Sequence, residues 1–372
     1  MDRMQVVLPD LFEGPLRGGA LMRRRFGLVS VVALAALVAL GAPTADARGG
    51  GHGGYVQTNL VSDQPGVAQL TDPNLVNPWG MSHGPNTPIW VSDNGTDVST
   101  LYNGDVNGSP VATVPLVVAI PGGAPTGQVF NDTTAFRLPG TTTVSRFIFI
   151  GEDGDLSAWA GGTSATLIGH TTDAVYKGLT LVHGPSGPML LAANFRSGRV
   201  DAFDGTFGRV PDAGMFTDPA LPPGYAPFNV AEIDGQVFVT YALQDAAGED
   251  DVAGPAHGFV NVFSPSGALV KRFASHGVLN SPWGMTIAPA TFGQFANDLL
   301  IGNFGDGRIH AFDPNTGEVL GILRGTAGKP LAIDGLWGLI VGDPVAGGAD
   351  SVWFSAGPDD ESHGLLGTLR PR

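Results

Sequence analysis

Short apolar runs separated by polar turns recur along the chain from about Tyr55 onward. One stretch, from Leu299, reads LLIGNFGDGRIHAFD, and another, from Leu190, reads LLAANFRSGRVDAFD, which matches it almost residue for residue. Such runs, bounded by Asp-Gly or Ser-Gly pairs, are typical of antiparallel strands joined by tight turns. The whole unit around the first stretch reads WGMTIAP, DLLIGNFG, GRIHAFDP and EVLGILRG, and it predicts a sheet of four strands.

The unit itself repeats. NPWGM begins at Asn77, SPWGM at Ser281 and the looser GLWGL at Gly335, and the last two are 54 residues apart. The long gap between the first two leaves room for three more units, and weaker counterparts occur in it: TTAFRL at 133–138, KGLTLV at 177–182 and NVAEID at 229–234. Four-stranded sheets that repeat in this way pack radially. The sequence therefore predicts an all-β fold, a six-bladed β-propeller of four-stranded antiparallel blades.

Ring closure is predicted from the two ends of the repeat region. The sixth unit stops one strand short, whereas YVQTNLV at 55–61 is a strand without a unit. We expect this N-terminal strand to pair with the last blade, because closure removes an exposed sheet edge. Each Trp-Gly pair then marks the start of an inner strand, and Trp79, Trp283 and Trp337 are expected to be packing residues.

Before the propeller, residues 22–47 have the layout of a secretory signal. Arg23 to Arg25 precede an apolar run, and Ala45-Asp46-Ala47 ends it, so we expect cleavage after Ala47. An uncleaved N-terminal anchor is the alternative. Residues 1–21 are then not translated or not structured, residues 48–54 form a flexible leader, and 55–372 form the propeller. The expected location is outside the cytoplasm, extracellular or periplasmic, with no membrane span after cleavage.

Charge and composition narrow the classes of partner that the protein can bind. The formal net charge is −15, which argues against nucleic acid because phosphate binding requires the opposite field. There is no cysteine, so burial and backbone pairing must hold the fold together. We expect a monomer that binds a protein, a glycan or a small ligand.

The PWG starts, the NFGDGRI turns and the AFDP hairpins, spread from about Leu60 to Leu369, resemble an uncharacterised family of bacterial secreted six-bladed propellers related to NHL-repeat proteins. Some members of that family carry a PEP-CTERM-type sorting tail. This chain ends in LLGTLRPR and lacks that tail. The resemblance implies the fold and export but no catalytic residues.

Polar turns predict where chemistry could occur. The turns between second and third strands should share one rim with the links between blades, and they are rich in carboxylates and amides, which are ligands suited to Ca²⁺. The candidate ligands are Asp93, Glu152, Asn194 and Asn303, with Asp306 and Asp359 as further rim contacts. The alternative is that Asp and Asn are there only because tight turns require them.

Three other side chains are candidates for axial contacts. His83 and His183 follow inner strands and are candidates to face the channel, although surface histidines would fit as well. Lys177 begins an inner strand in a chain with few lysines, so it is a candidate for a rim ion pair or a buried base. No H-E-x-x-H, G-x-S-x-G or P-loop motif is present in the sequence.

Two functions follow from these patterns. The favoured one is an exported scaffold that binds a partner at the cell envelope or outside the cell, with no assignable reaction. The alternative is a metal-dependent enzyme of the lactonase or lyase type with a cation at the propeller axis, which would need ligands converging on one point.

Overall fold

Six small antiparallel sheets surround one axis in the computed structural model, which describes residues 54–211 and 214–372. The predicted signal peptide, the residues before it and residues 48–53 of the leader lie outside the described residues. No helix within the described residues has the length and apolar character needed to cross a bilayer.

The described strands are short, and most are bounded by glycine or Asx turns. In chain order they are β1 (Tyr55–Ser62), β2 (Leu70–Thr71), β3 (Pro78–Ser82), β4 (Ile89–Asp93), β5 (Val98–Asn103), β6 (Ala112–Thr113), β7 (Val118–Ala119), β8 (Pro125–Phe130), β9 (Phe147–Gly151), β10 (Asp155–Trp159), β11 (Thr166–His170), β12 (Tyr176–Gly184), β13 (Gly187–Asn194), β14 (Arg199–Asp204), β15 (Arg209–Val210), β16 (Tyr225–Ile233), β17 (Gln236–Leu243), β18 (Phe259–Phe263), β19 (Leu269–Ser275), β20 (Pro282–Ile287), β21 (Leu299–Asn303), β22 (Ile309–Phe312), β23 (Val319–Ile322), β24 (Leu336–Val341), β25 (Val352–Ala356) and β26 (Leu365–Pro371). Two 3-10 turns, Asn94–Thr96 and Gly293–Phe295, complete the described elements.

Each blade runs from an inner strand to an outer one. Blades 1 to 5 begin at β3, β8, β12, β16 and β20, and blade 6 consists of β24, β25, β26 and β1. The predicted six-bladed propeller is therefore confirmed. β2 extends blade 6 by pairing in parallel with β1, and β7 adds a second short partner to β5.

Ring closure by the N-terminal strand is confirmed as well. Tyr55 pairs with Pro371 and Ser62 with Leu365, in an antiparallel register broken only near Asn59. The Tyr55 hydroxyl donates to the Phe292 carbonyl at 3.0 Å, and its backbone N–H donates to Arg324 O at 2.8 Å. Strand β1 is thus held by blade 5 in addition to the blade that it completes.

The blade-2 inner strand was predicted wrongly. The sequence comparison assigned it to TTAFRL at 133–138, whereas the inner strand is β8, Pro125–Phe130, and 133–138 contributes only an isolated bridge from Arg137 to Val144. The prediction of 133–138 relied on an apolar start to the inner strand. Blade 2 instead places Thr126 where four other blades have an aromatic residue, and retains only the glycine, Gly127.

Packing between neighbouring blades supplies most of the core. Among the described residues, six buried apolar clusters fill the interfaces between consecutive blades, and a seventh contains Trp79, Trp283 and Trp337. The first strands of the six blades contact one another in a closed ring. Large buried aromatics at such contacts contribute about 2–3 kcal/mol each, so the ring is the stable frame on which any site depends.

Candidate functional site

Five glycines and one asparagine form a ring at which the six inner strands come close together. A Cβ placed on Gly127 would lie 2.2 Å from Leu179 N, and one placed on Gly178 would lie 2.1 Å from Asn229 Oδ1. Only glycine allows this approach. The ring position and its preceding residue read Trp79-Gly80, Thr126-Gly127, Lys177-Gly178, Phe228-Asn229, Trp283-Gly284 and Trp337-Gly338.

The three tryptophans that precede ring glycines form an aromatic plug across the inside of the ring. Trp79 and Trp337, on neighbouring blades, stack at 3.5 Å between ring centroids, and Phe304 stacks on Trp337 at 3.9 Å. Trp283, two blades from Trp79, meets it edge-on at 6.1 Å. All three indoles are buried. Their expected packing role is consistent with these contacts, and the contacts extend across the ring as well as between neighbours.

Lys177 precedes the ring glycine of blade 3, at the place where three other blades have tryptophan. Its side chain is 3% exposed, and its Nζ donates to Glu152 Oε1 at 2.5 Å and to Asp250 Oδ1 at 3.3 Å. The ammonium also lies 5.1 Å from the centre of the Trp79 ring. Burial by itself lowers the pKa of Lys177, but attraction to Glu152 and Asp250 outweighs it and leaves the pKa above its ordinary value. Lys177 is therefore a charged lysine buried near the axis.

Hydrogen bonds extend from this ion pair around one end of the ring. Asn94 Nδ2 donates to Glu152 Oε2 at 2.9 Å, and Asn77 Nδ2 donates to Glu361 Oε2 at 2.6 Å and to Asn94 Oδ1 at 3.2 Å. Trp337 Nε1 donates to Asn77 Oδ1 at 3.0 Å, which ties the group to the plug. We call this group the axial network: Asn77, Asn94, Glu152, Lys177, Asp250 and Glu361.

Glu361 is the acid of this network that burial affects most. Desolvation, reinforced by the neighbouring Glu152 and Asp250 charges, raises the pKa of Glu361 to about 7, although Asn77 and Lys177 act in the opposite direction. Its loop is unusual too, since Asp359, Asp360 and Glu361 all have left-handed φ, of 55°, 52° and 64°. Non-glycine residues adopt this conformation at a cost, which the surrounding contacts must offset.

The raised pKa predicts a specific pH dependence of stability. A carboxyl whose folded pKa lies above its unfolded value stabilises the folded state most in acid, and this contribution is lost as the pH rises through about 7. We therefore expect Glu361→Gln, which is neutral at every pH, to be more stable than the parent at pH 8 by about 2 kcal/mol and equally stable near pH 4.5. Urea unfolding at both pH values measures the difference, with Glu318→Gln as an exposed control. A constant difference at all pH values would contradict the prediction.

The predicted cation ligands are found in separate surroundings. Asp93 is fully buried and accepts from Thr100 N at 3.0 Å and from Thr100 Oγ1 at 2.7 Å, and burial raises its pKa well above the ordinary value. Asn194 Nδ2 donates to Asp201 Oδ2 at 2.8 Å, and Asn303 Nδ2 donates to the Val278 carbonyl at 2.8 Å.

Of the four predicted ligands, only Glu152 belongs to the axial network. The described residues contain no group of three or more His, Asp or Glu arranged to hold a metal ion. The other two rim candidates have local partners, since Asp306 accepts from Asn303 Nδ2 at 3.2 Å and the Asp359 N–H donates to Asp334 at 3.1 Å. The Oδ1 atoms of Asp93 and Asn303 are buried without a hydrogen-bond partner, but the four predicted ligands lie in different blades, and the cation site stays a prediction.

The opposite end of the ring opens into a cavity of about 400 Å³. All six inner strands line it, and Trp283 is among the lining residues, so the aromatic plug separates the cavity from the axial network. Its apolar walls include Met81, Val129, Leu181, Met285 and Ile340. This size falls within the range of small-molecule sites in proteins.

Both candidate histidines line this cavity. His183 Nε2 lies 3.1 Å from Asp132 Oδ1, and its Nδ1 lies 3.5 Å from Glu232 Oε2. His83 Nε2 lies 3.2 Å from the Val341 carbonyl, and its Nδ1 lies 3.1 Å from the Gly84 carbonyl. We call the four side chains His83, Asp132, His183 and Glu232 the cavity mouth.

Sequence reasoning missed Gln128, Asp132, Glu232, Asp250 and Glu361. For Gln128 a signal existed, because the residue after each ring position is apolar in five blades and is glutamine in blade 2. The wrong strand alignment in that blade concealed it. The other four lie in loops or at strand ends, where periodicity carries no information on direction.

Comparison with known proteins places the chain among relatives of viral origin. It is 32% identical over 327 residues to the protein described as "Uncharacterized protein R648" of Acanthamoeba polyphaga mimivirus, covering 83% of this chain and 78% of that protein. It is also 32% identical over 333 residues to "Uncharacterized protein L690" of the same virus, covering 83% and 84%. The chain belongs to the family of these two proteins. No protein-family profile matches it.

These relatives support only part of the resemblance inferred from the sequence. The propeller fold is shown, but the relatives are viral, so the bacterial origin and the PEP-CTERM association receive no support from them. Among solved structures, a Penicillium chrysogenum alpha-L-arabinanase complexed with arabinobiose superposes with a TM-score of 0.51 at 12% identity, covering 84% of this chain and 97% of that one. At this identity the similarity shows a shared fold alone.

Proposed function

We propose that the chain is an exported propeller that binds a small ligand in the cavity between its inner strands. The observation that carries this proposal is the cavity itself, about 400 Å³, open at one end, with apolar walls and a polar mouth. A rigid frame that positions a few polar groups around an apolar space is the usual form of a ligand site. Export rests on the signal-like pattern of residues 22–47.

The closed end of the ring supports the same proposal. The axial network pairs Lys177 with Glu152 and Asp250, and the indoles beneath it are tightly stacked. A ligand entering from that side would have to break a buried ion pair, which costs several kcal/mol. The cavity end requires no such rearrangement.

Binding of 1-octanol to the purified protein tests the proposal. This neutral probe has an apolar body and one polar end, and we expect it to bind and to change the fluorescence of Trp283, which lines the cavity. Thr286→Phe adds a ring to the lining and should weaken binding by roughly fivefold or more, the size of effect that a lost apolar contact produces. Calorimetric titration provides the dissociation constant.

Thr113→Phe is the matched control, because Thr113 is exposed on an outer strand. It should leave octanol binding unchanged. Absence of binding to the parent protein up to the solubility of octanol, or equal binding by Thr286→Phe and the parent, would overturn the proposal.

The metal-dependent lactonase or lyase is the alternative. It requires several oxygen or nitrogen ligands converging on one ion with an open position, whereas the part of the chain that the structure describes has no group of three or more His, Asp or Glu arranged in this way. Metal analysis of the purified protein distinguishes the two functions. A stoichiometric divalent ion, whose removal by EDTA lowers the melting temperature, would favour the enzyme.

A further inference from the structure

The cavity is charged with one sign only. Among its lining residues there are two carboxylates, Asp132 and Glu232, and two histidines, but no lysine or arginine. The side chain of Glu232 is 25% exposed and that of Asp132 is 55% exposed, so both carboxylates are accessible from the mouth. With no fixed cation to oppose them, they favour a positively charged ligand group.

In its neutral form, the imidazole of His183 leaves one acceptor unsatisfied. The imidazole lies between the two carboxylates, with Asp132 at Nε2 and Glu232 at Nδ1. A neutral imidazole carries hydrogen on only one nitrogen, so it donates to one carboxylate and presents a lone pair to the other. A hydrogen-bond donor on a ligand would satisfy the remaining carboxylate.

A second, independent acceptor belongs to a residue of the cavity lining, Gln128. Gln128 is 4% exposed, and its Nε2 donates to the Gly80 and Trp90 carbonyls, both at 2.8 Å. These two bonds fix the amide orientation, and they leave Oε1 buried without a partner. A buried amide oxygen without a hydrogen bond is costly. A ligand donor that reaches this lining residue would recover part of that cost.

We propose that the cavity selects an amphiphilic primary amine, with its ammonium group at the carboxylates of Asp132 and Glu232, beside the His183 imidazole, and its apolar body against Val129, Leu181 and Met285. This inference rests on the proposed function, because it assigns the ligand class of the same cavity. An ammonium group supplies both the positive charge and the N–H donors that Asp132 and Glu232 can accept.

A series of probes of equal chain length tests the ligand class. We expect n-octylamine, protonated at pH 8, to bind roughly tenfold more tightly than 1-octanol, and octanoate to bind more weakly than either. Glu232→Gln should weaken octylamine binding by roughly fivefold and leave octanol binding unchanged, and adding Asp132→Asn should weaken octylamine binding further. Glu318→Gln, an exposed carboxylate on blade 5, is the control.

The outcomes separate the two proposals. If octanol binds and octylamine binds no more tightly, the amine inference is wrong and the cavity remains a ligand site. If none of the three probes binds, the proposed function fails as well. A further outcome is that octylamine binds more tightly than octanol and yet binds equally to Glu232→Gln, Asp132→Asn and the parent protein. That result would assign the amine preference to another surface and overturn the placement of the ammonium group at these two carboxylates.

Discussion

Lys177→Met is expected to lower the free energy of unfolding by about 3–5 kcal/mol at pH 8, because it leaves carboxylates without their buried cation. Glu152 and Asp250 both contact the Lys177 ammonium, and Glu361 lies close enough to Glu152 for the two charges to interact. Methionine keeps the unbranched chain but removes the ammonium that lies over the Trp79 ring. The loss of stability would therefore result from the missing charge more than from the missing side-chain volume.

Urea unfolding followed by circular dichroism measures this loss, with the exposed Lys329→Met as the control. We expect a smaller loss at pH 5, where Glu361 is protonated and one repelling charge is gone. Adding Glu152→Gln to Lys177→Met should restore part of the stability. A loss below about 1 kcal/mol at pH 8 would show that the ion pair behaves as an exposed one. Octanol binding should survive in the folded variant, since the plug separates the network from the cavity.

The number of blades and their closure could be predicted because the repeat contains residues that the geometry of the blades requires. Glycine before Met81 and Met285 permits the close approach of inner strands, and glycine turns permit tight hairpins. Because these constraints act on single residues and short turns, they can be recognised in the sequence. Blade 2 shows the limit, because Thr126 replaced the aromatic residue, and only Gly127 marked the strand.

The candidate site was less predictable because turn conformation decides where each polar side chain points. Asp93 and Asn94 are adjacent, yet Asp93 turns into its own blade to accept from Thr100, whereas Asn94 reaches Glu152 in the next blade. A difference of one residue thus separates a buried structural acid from the axial network. Glu361 depends on three consecutive left-handed residues, a conformation that no periodic pattern indicates.

Deleting residues 1–62 is expected to abolish the cooperative folding of the whole ring. This truncation removes β1, and with it the buried side chains of Tyr55, Leu60 and Val61 and the strand that pairs with β26. Burial of three such side chains contributes about 5–8 kcal/mol, which is comparable to the net stability of a typical domain. The open edge of β26 would also be free to pair with other chains, so we expect aggregation in addition to unfolding.

Deletion of residues 1–53 is the matched control, because it leaves β1 intact, and it should melt at the temperature of the chain that begins at residue 48. Thermal melting by circular dichroism and size-exclusion chromatography compare the two truncations. A synthetic peptide spanning Tyr55–Ser62 should raise the melting temperature of the shorter protein, because it can occupy the vacant edge as an added strand. If the two truncations instead melt within a few degrees of each other, β1 contributes no closure energy, and the ring must be held by the contacts between blades alone.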